Sequence, residues 1–209
     1  MHPDQFAAFV DFVTRLGWPT TALLLLSAAS LAIAVLVLVR IPAQRRPRHV
    51  AHWLFRLVIG AAWWQLSLAN APTHHAREPF ADTAVAQWLT SMSQQAAIPG
   101  QADFVNRFLL PHFSLVAPVV YGLEVLCGVS LMLGVGVRLF GLIGALQMLC
   151  LWLGLYGVPG EAAWGYLLLL VLQLIFAVDV YGRSLGIDAL LNAEPAPAPA
   201  AAEWRPRSG

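Results

Sequence analysis

Hydrophobic and polar positions fall in long blocks along this chain. Apolar runs lie at 20–39 and 52–70, and again at roughly 113–135, 139–157 and 162–181. A helix rising 1.5 Å per residue needs about 20 apolar residues to cross about 30 Å of hydrocarbon. All five runs approach that length, so the pattern predicts five membrane spans. Ahead of them, within residues 1–19, Phe6, Phe9, Val10, Val13 and Leu16 share one helical face while Asp4, Asp11, Thr14 and Arg15 take the other. That pattern predicts an amphipathic helix lying in the interface. Residues 71–110 separate the second and third spans, and a loop that long is rarely without structure. Within it Val85, Trp88, Leu89 and Met92 recur at helical spacing, predicting a lid helix on the outer face. The tail 192–209 is rich in Pro and Ala and is expected to be disordered.

Composition sharpens this picture. The 209 residues are 59% hydrophobic and 11% charged, where soluble domains carry about 25% charged residues. The chain is therefore read as an all-α integral membrane protein whose first partner is the lipid bilayer. No basic patch with interleaved aromatics is present, which argues against nucleic-acid binding. Arg40, Arg45, Arg46, Arg48, Arg56, Arg138, Arg183, Arg205 and Arg207 would collect on one side, against Arg15, Arg77 and Arg107 on the other. The positive-inside rule then places the N-terminus outside and the C-terminus in the cytoplasm. A secretory signal carries its positive charge ahead of the apolar run; here Arg40, Arg45, Arg46 and Arg48 follow the run 20–39 instead, so that helix is expected to be retained. Cys127 and Cys150 both lie in apolar runs and read as packing residues.

Candidate chemistry starts at Glu124, the only carboxylate well away from the ends of an apolar run. A carboxylate at that depth costs several kcal/mol unless it is protonated, paired or beside water. Two readings stand for it. It exchanges protons beside a quinone, or it forms a structural pair with Arg56 or Arg138. Trp63, Trp64 and Gln65, with Gln147 on the fourth span, could line an aromatic, hydrogen-bonding quinone pocket; the alternative for them is helix packing. His112 could donate a proton at the mouth of such a pocket. His74, His75 and His112 should share the outer face, but no Cys or carboxylate stands at ligand spacing to them, and neither metal nor haem is expected. Asp179 and Arg183 are spaced to pair on a helix, and Asp188 reads as the cap of a short helix after it.

Together the residues carry a resemblance. The second span reads Arg56, Gly60 and Trp63 in RLVIGAAW. The third and fourth read PHF at 111–113, then Glu124, Gly128, Leu131, Gly134 and Arg138. The fifth reads Trp164, Tyr166, Gly182, Arg183, Gly186 and Asp188. Over about residues 52–191 the chain resembles the DoxX/DoxD superfamily, and within it the DoxD-like small subunit of thiosulfate:quinone oxidoreductase. The resemblance implies a four-helix membrane bundle, here preceded by an extra span at 20–39. It also implies a bacterial-type cytoplasmic membrane, quinone as the cofactor, and a partner membrane or periplasmic subunit that passes electrons from a reduced sulfur compound. The rival reading is a non-catalytic accessory subunit packed in a larger respiratory or photosynthetic membrane complex. The apolar span 20–39, suited to docking, motivates it.

Overall fold

The structure is a computed structural model that describes residues 17–73, 78–96 and 98–193. The predicted amphipathic helix before Gly17, the His74–His75 pair and the tail beyond Ala193 lie outside those residues. All regular structure among the described residues is helical. The long helices are α1 (Gly17–Arg40), α2 (Pro47–Ala69), α5 (Phe113–Leu133), α6 (Val137–Leu155) and α7 (Ala163–Val178). Between α2 and α5 come α3 (Ala84–Gln95) and α4 (Pro99–Phe104). A π-helical turn, Val105–Leu109, continues α4. A short α8 (Ile187–Leu191) follows α7. By length and composition α1, α5 and α6 can cross a membrane. The apolar α7 has 16 residues, and α2 mixes Arg56, His52 and Gln65 into its apolar sequence. α2 begins ahead of the apolar run because Pro47 occupies its first turn, where the missing N–H is not needed.

Two tight antiparallel pairs form the centre: α2 with α5, and α6 with α7. Glycine sets both crossings. A Cβ at Gly128 would lie 3.1 Å from the Trp64 backbone nitrogen and 3.2 Å from the Gly60 carbonyl, and one at Gly141 would lie 2.7 Å from the Ala177 nitrogen. Small residues at such points let helix backbones approach, which is the main source of packing between helices in lipid. α1 docks on the outside of this centre through one polar peg. The Ser30 hydroxyl donates to the Met132 carbonyl (2.6 Å) and accepts from Trp53 Nε1 (3.0 Å).

The Arg-rich end is locked through the backbone. Arg56, fully buried, donates from Nε to the Leu131 carbonyl (2.6 Å) and from Nη1 to the carbonyls of Tyr181 (2.8 Å) and Ser184 (3.0 Å). It closes the last turn of α5, whose carbonyls have no partner within the helix. Its expected pairing with Glu124 is therefore replaced by carbonyl contacts, because the guanidinium points away from Glu124 toward the helix end. Arg138 likewise donates to the carbonyls of Val178 and Asp179. Asp179 and Arg183 do not share a helix: α7 stops at Val178 and the Asp179 carboxylate accepts the Val180 N–H. Asp188 caps a different helix from the one expected. Gly186 is the N-cap of α8, while the Asp188 carboxylate accepts the N–H groups of Gly136 (3.0 Å) and Val137 (3.4 Å) at the start of α6. A carboxylate at a helix N-terminus satisfies free donors and opposes the helix dipole. Asp188→Ala should therefore lower stability by about 1–2 kcal/mol, read as an earlier thermal unfolding midpoint in detergent. His49, in the first turn of α2, contacts Ser184 (3.0 Å). Burial, then Arg48, His52 and Arg46, hold its pKa below the usual histidine range.

Candidate functional site

Glu124 sits near the middle of α5 and is fully buried. Three donor contacts converge on its carboxylate. Asn70 Nδ2 lies 3.0 Å from Oε1 and 2.8 Å from Oε2, and Gln147 Nε2 lies 2.8 Å from Oε1. The orientation of Asn70 is fixed independently, because its Oδ1 accepts the Val85 N–H at 2.7 Å. Asn70 stands at the C-terminal end of α2 and is itself fully buried. Val85 opens α3, so one asparagine ties three elements together: the end of α2, the middle of α5 and the first turn of α3. That bond also satisfies one of the free N–H groups of α3.

α3 is the predicted lid, and its buried residues are Val85, Trp88, Leu89 and Met92. It packs against α5 and α6 rather than lying apart on a surface. Beneath it lies a cavity of about 400 Å³ bounded by α3, α4, the π-helical turn, α5 and α6. Its wall is apolar (Trp88, Met92, Val105, Leu109 and Val116 among others) except for Gln101 and Gln147. Cavities of about 300–1,000 Å³ with apolar walls and few polar groups are the usual shape of small-molecule sites. The π-helical turn supplies Val105 and Leu109 to the wall, and single π turns recur at such sites. The exposed Ile98 and Phe104 stand among the lining residues, so the cavity opens at the surface beside α4.

Gln147 joins the two features. Its nitrogen holds the Glu124 carboxylate while its side chain lines the cavity, and its Oε1 is buried without a donor. Gln101 repeats the arrangement: Nε2 donates to the Cys150 carbonyl at 2.9 Å and Oε1 is buried without a donor. The cavity is thus an apolar space with two glutamines as its polar side chains.

Of the residues singled out in the sequence, Glu124 and Gln147 come together. The others expected beside them do not. Trp64 turns to α1, donating to the Pro19 carbonyl (3.2 Å) and meeting Trp18 edge-on. Gln65 is exposed. Trp63 is buried in the core, against Gly144 and Gln173. Three consecutive residues project about 100° apart on a helix and cannot share one wall. His112 is exposed, bonds to the Phe108 carbonyl (2.8 Å) and lies 12 residues, or about 18 Å of rise, from Glu124. It is too far away to exchange a proton with Glu124 directly. Asn70 and Gln101 were not singled out. A buried-site signal for Asn70 is its place as the one amide closing an apolar helix; Gln101, in a short polar stretch, offers none. Cys127 is buried and Cys150 exposed, both free thiols, with Cys150 on the cavity wall. Among the described residues no three His, Cys, Asp or Glu side chains cluster as metal ligands would.

Residues 80–157 match the DoxX family. The match supports the DoxX superfamily and, with the apolar helices, a multi-pass membrane protein. It runs from just before the lid helix to just past the end of α6, so it spans Glu124, Gln147, Gln101 and the cavity walls, while Asn70 lies upstream of it. No curated protein and no solved structure matches the chain.

Proposed function

We propose that this DoxX-type chain is the membrane subunit of a quinone-linked oxidoreductase of reduced sulfur compounds, with Glu124 as its proton-exchanging group. One observation carries the reading: Gln147 bonds the buried Glu124 carboxylate and lines the apolar cavity under the lid. A bound quinone supplies the acceptor for two electrons and two protons. The electrons come from a partner subunit that oxidises the sulfur compound, a donor assigned by resemblance to the thiosulfate:quinone oxidoreductase small subunit. Within this chain Asn70 and Gln147 hold the carboxylate in place, and Glu124 takes up and releases protons for the headgroup. The lid keeps the headgroup in an apolar setting, where a buried acid is tuned for proton transfer.

The same reading gives the chain five spans, with the N-terminus outside and the C-terminus cytoplasmic. Two features support counting α2 and α7. α2 has 23 residues and runs antiparallel to α5, from the Arg56–Leu131 contact to the Asn70–Glu124 contact. α7 runs antiparallel to α6 and covers about 24 Å by rise.

Purification in mild detergent should yield protein that retains extractable quinone. Glu124→Gln keeps the shape and the hydrogen-bond acceptor, so it should fold normally yet slow quinone-linked turnover roughly 10²-fold, the usual scale for a lost proton-transfer group. Unchanged turnover would remove the proton role. A preparation that carries no quinone and brings down a large membrane complex would favour the accessory reading instead.

A further inference from the structure

One face of α1 turns away from the protein. Ser30, Ala34 and Val37 pack inward, while Ala28, Leu31, Ala32, Val35, Leu36 and Val39 are exposed and line a groove of about 560 Å³. The two alanines leave the hollow that the larger side chains flank. From Ala28 to Val39 the helix rises about 16 Å, close to half of a hydrocarbon layer about 30 Å thick. The groove therefore has the depth of one leaflet. The other half of α1 exposes the bulky Leu24 and Leu25 instead.

The groove ends among arginines. Arg40 follows Val39, and Arg45, Arg46 and Arg48 come soon after. The turn between α1 and α2 that presents them is held in place by Gln44. Its Nε2 donates to the Arg183 carbonyl at 2.7 Å, and its Oε1 accepts the Leu185 N–H at 3.4 Å. Arg45 folds back, its Nε donating to the Leu38 carbonyl at 3.0 Å. Its guanidinium thus stands at the last turn of α1, where the groove ends. No Asp or Glu occurs in residues 12–77. The carboxylates of Asp179 and Asp188, at the same end of the bundle, are turned to the N–H groups of Val180, Gly136 and Val137. The charge of these arginines calls for an anion from outside the chain.

We infer that the groove and the arginines form one binding site for an anionic phospholipid of the leaflet at the Arg-rich end. Its phosphate lies on Arg40 and Arg45, and one acyl chain lies along the groove. Length and charge select this occupant. A partner helix crossing the bilayer would need a complementary face along the whole of α1, and the groove stops halfway. An acyl chain also stops there. Its phosphate lies at the depth where the helix ends, and arginine clusters just beyond a span attract anionic headgroups. The site does not depend on the quinone-linked reading.

Photolabelling tests it. The full chain is reconstituted in phosphatidylcholine vesicles holding a trace of phosphatidylglycerol, or of phosphatidylcholine, with a diazirine in one acyl chain, and the labelled peptides are sequenced. Two arginines at roughly fivefold each predict that the phosphatidylglycerol probe labels residues 28–39 about 25-fold more than the phosphatidylcholine probe does. Exposed apolar residues of α5, such as Leu115 and Val119, should show no such preference. In the double variant Arg40→Gln, Arg45→Gln the preference should fall toward one. Ala32→Phe fills the groove on an exposed face, so it should block labelling of α1 by the phosphatidylglycerol probe while the thermal unfolding midpoint stays unchanged. Equal labelling by the two probes in the unmodified chain, or a preference that survives in the double variant, overturns the inference. Cross-linking of α1 to a second copy in place of lipid overturns it too and assigns the groove to an interface between chains.

Discussion

Asn70→Leu should destabilise the protein by about 3–5 kcal/mol, the scale on which removing one partner of a buried charged contact is felt. Asn70 gives two of the three donor contacts to Glu124 and takes the Val85 N–H. Leucine would leave the carboxylate with Gln147 alone and strand a backbone donor at the head of the lid. Two consequences separate this from a general core defect. Adding Glu124→Gln to Asn70→Leu should recover a substantial part of the loss, because a neutral amide in the same place needs fewer donors. The lid should also loosen first, with faster amide exchange over Ala84–Gln95 than over α6. Chemical denaturation of the single and double variants, with exchange measured by segment, checks both. Additive losses in the double variant would show that the two side chains do not act on each other.

Gly128→Leu should be comparably severe, for a different reason. The atoms that a side chain there would meet are backbone atoms of Trp64 and Gly60, which cannot move aside as a flexible side chain could. Overpacking of a tight core costs about 1–3 kcal/mol, occasionally more, and this site belongs at the upper end because α2 and α5 must separate as whole helices. Their separation would draw Asn70 away from Glu124, so ligand retention should fall with stability. Gly122 is the internal control. It lies on the same helix with no atom within 4 Å of where a Cβ would sit, and Gly122→Ala should be neutral or stabilising by up to about 1 kcal/mol. Thermal unfolding of both variants in one detergent gives the ordering. A Gly128→Leu midpoint equal to that of Gly122→Ala would contradict the close crossing.

The sequence made the helices and one end of the site readable, and the physical reason is periodicity. Runs of apolar residues mark long helices, and the lid announced itself because Val85, Trp88, Leu89 and Met92 repeat at helical spacing and are the residues the lid buries. Glu124 stood out because a lone acid in an apolar run demands an explanation. Its partners were harder to see. Asn70 and Val85 are 15 residues apart across a loop, and Gln101 reaches Cys150 across 49; neither contact leaves a periodic trace. The expected pocket of Trp63, Trp64 and Gln65 failed on geometry that the sequence already contained, since consecutive helical residues diverge. The charged residues at the Arg-rich end were read as ion pairs because opposite charges lay at suitable spacings. The fold uses Arg56 on carbonyls and the Asp179 carboxylate on an N–H instead, while Asp188, read as a cap, caps α6 rather than α8. That choice follows from how the chain turns between α5 and α6 and after α7, which residue spacing does not encode.

The most direct test of a proton-exchanging Glu124 is infrared difference spectroscopy of the purified chain reconstituted with quinone, recorded as the quinone is reduced and reoxidised at an electrode. Glu124 as the exchanging group predicts a change in a carboxylic C=O stretch that tracks the redox cycle and is absent in Glu124→Gln. A spectrum with the same carboxyl change in both proteins, or with none in either despite bound and cycling quinone, would contradict it.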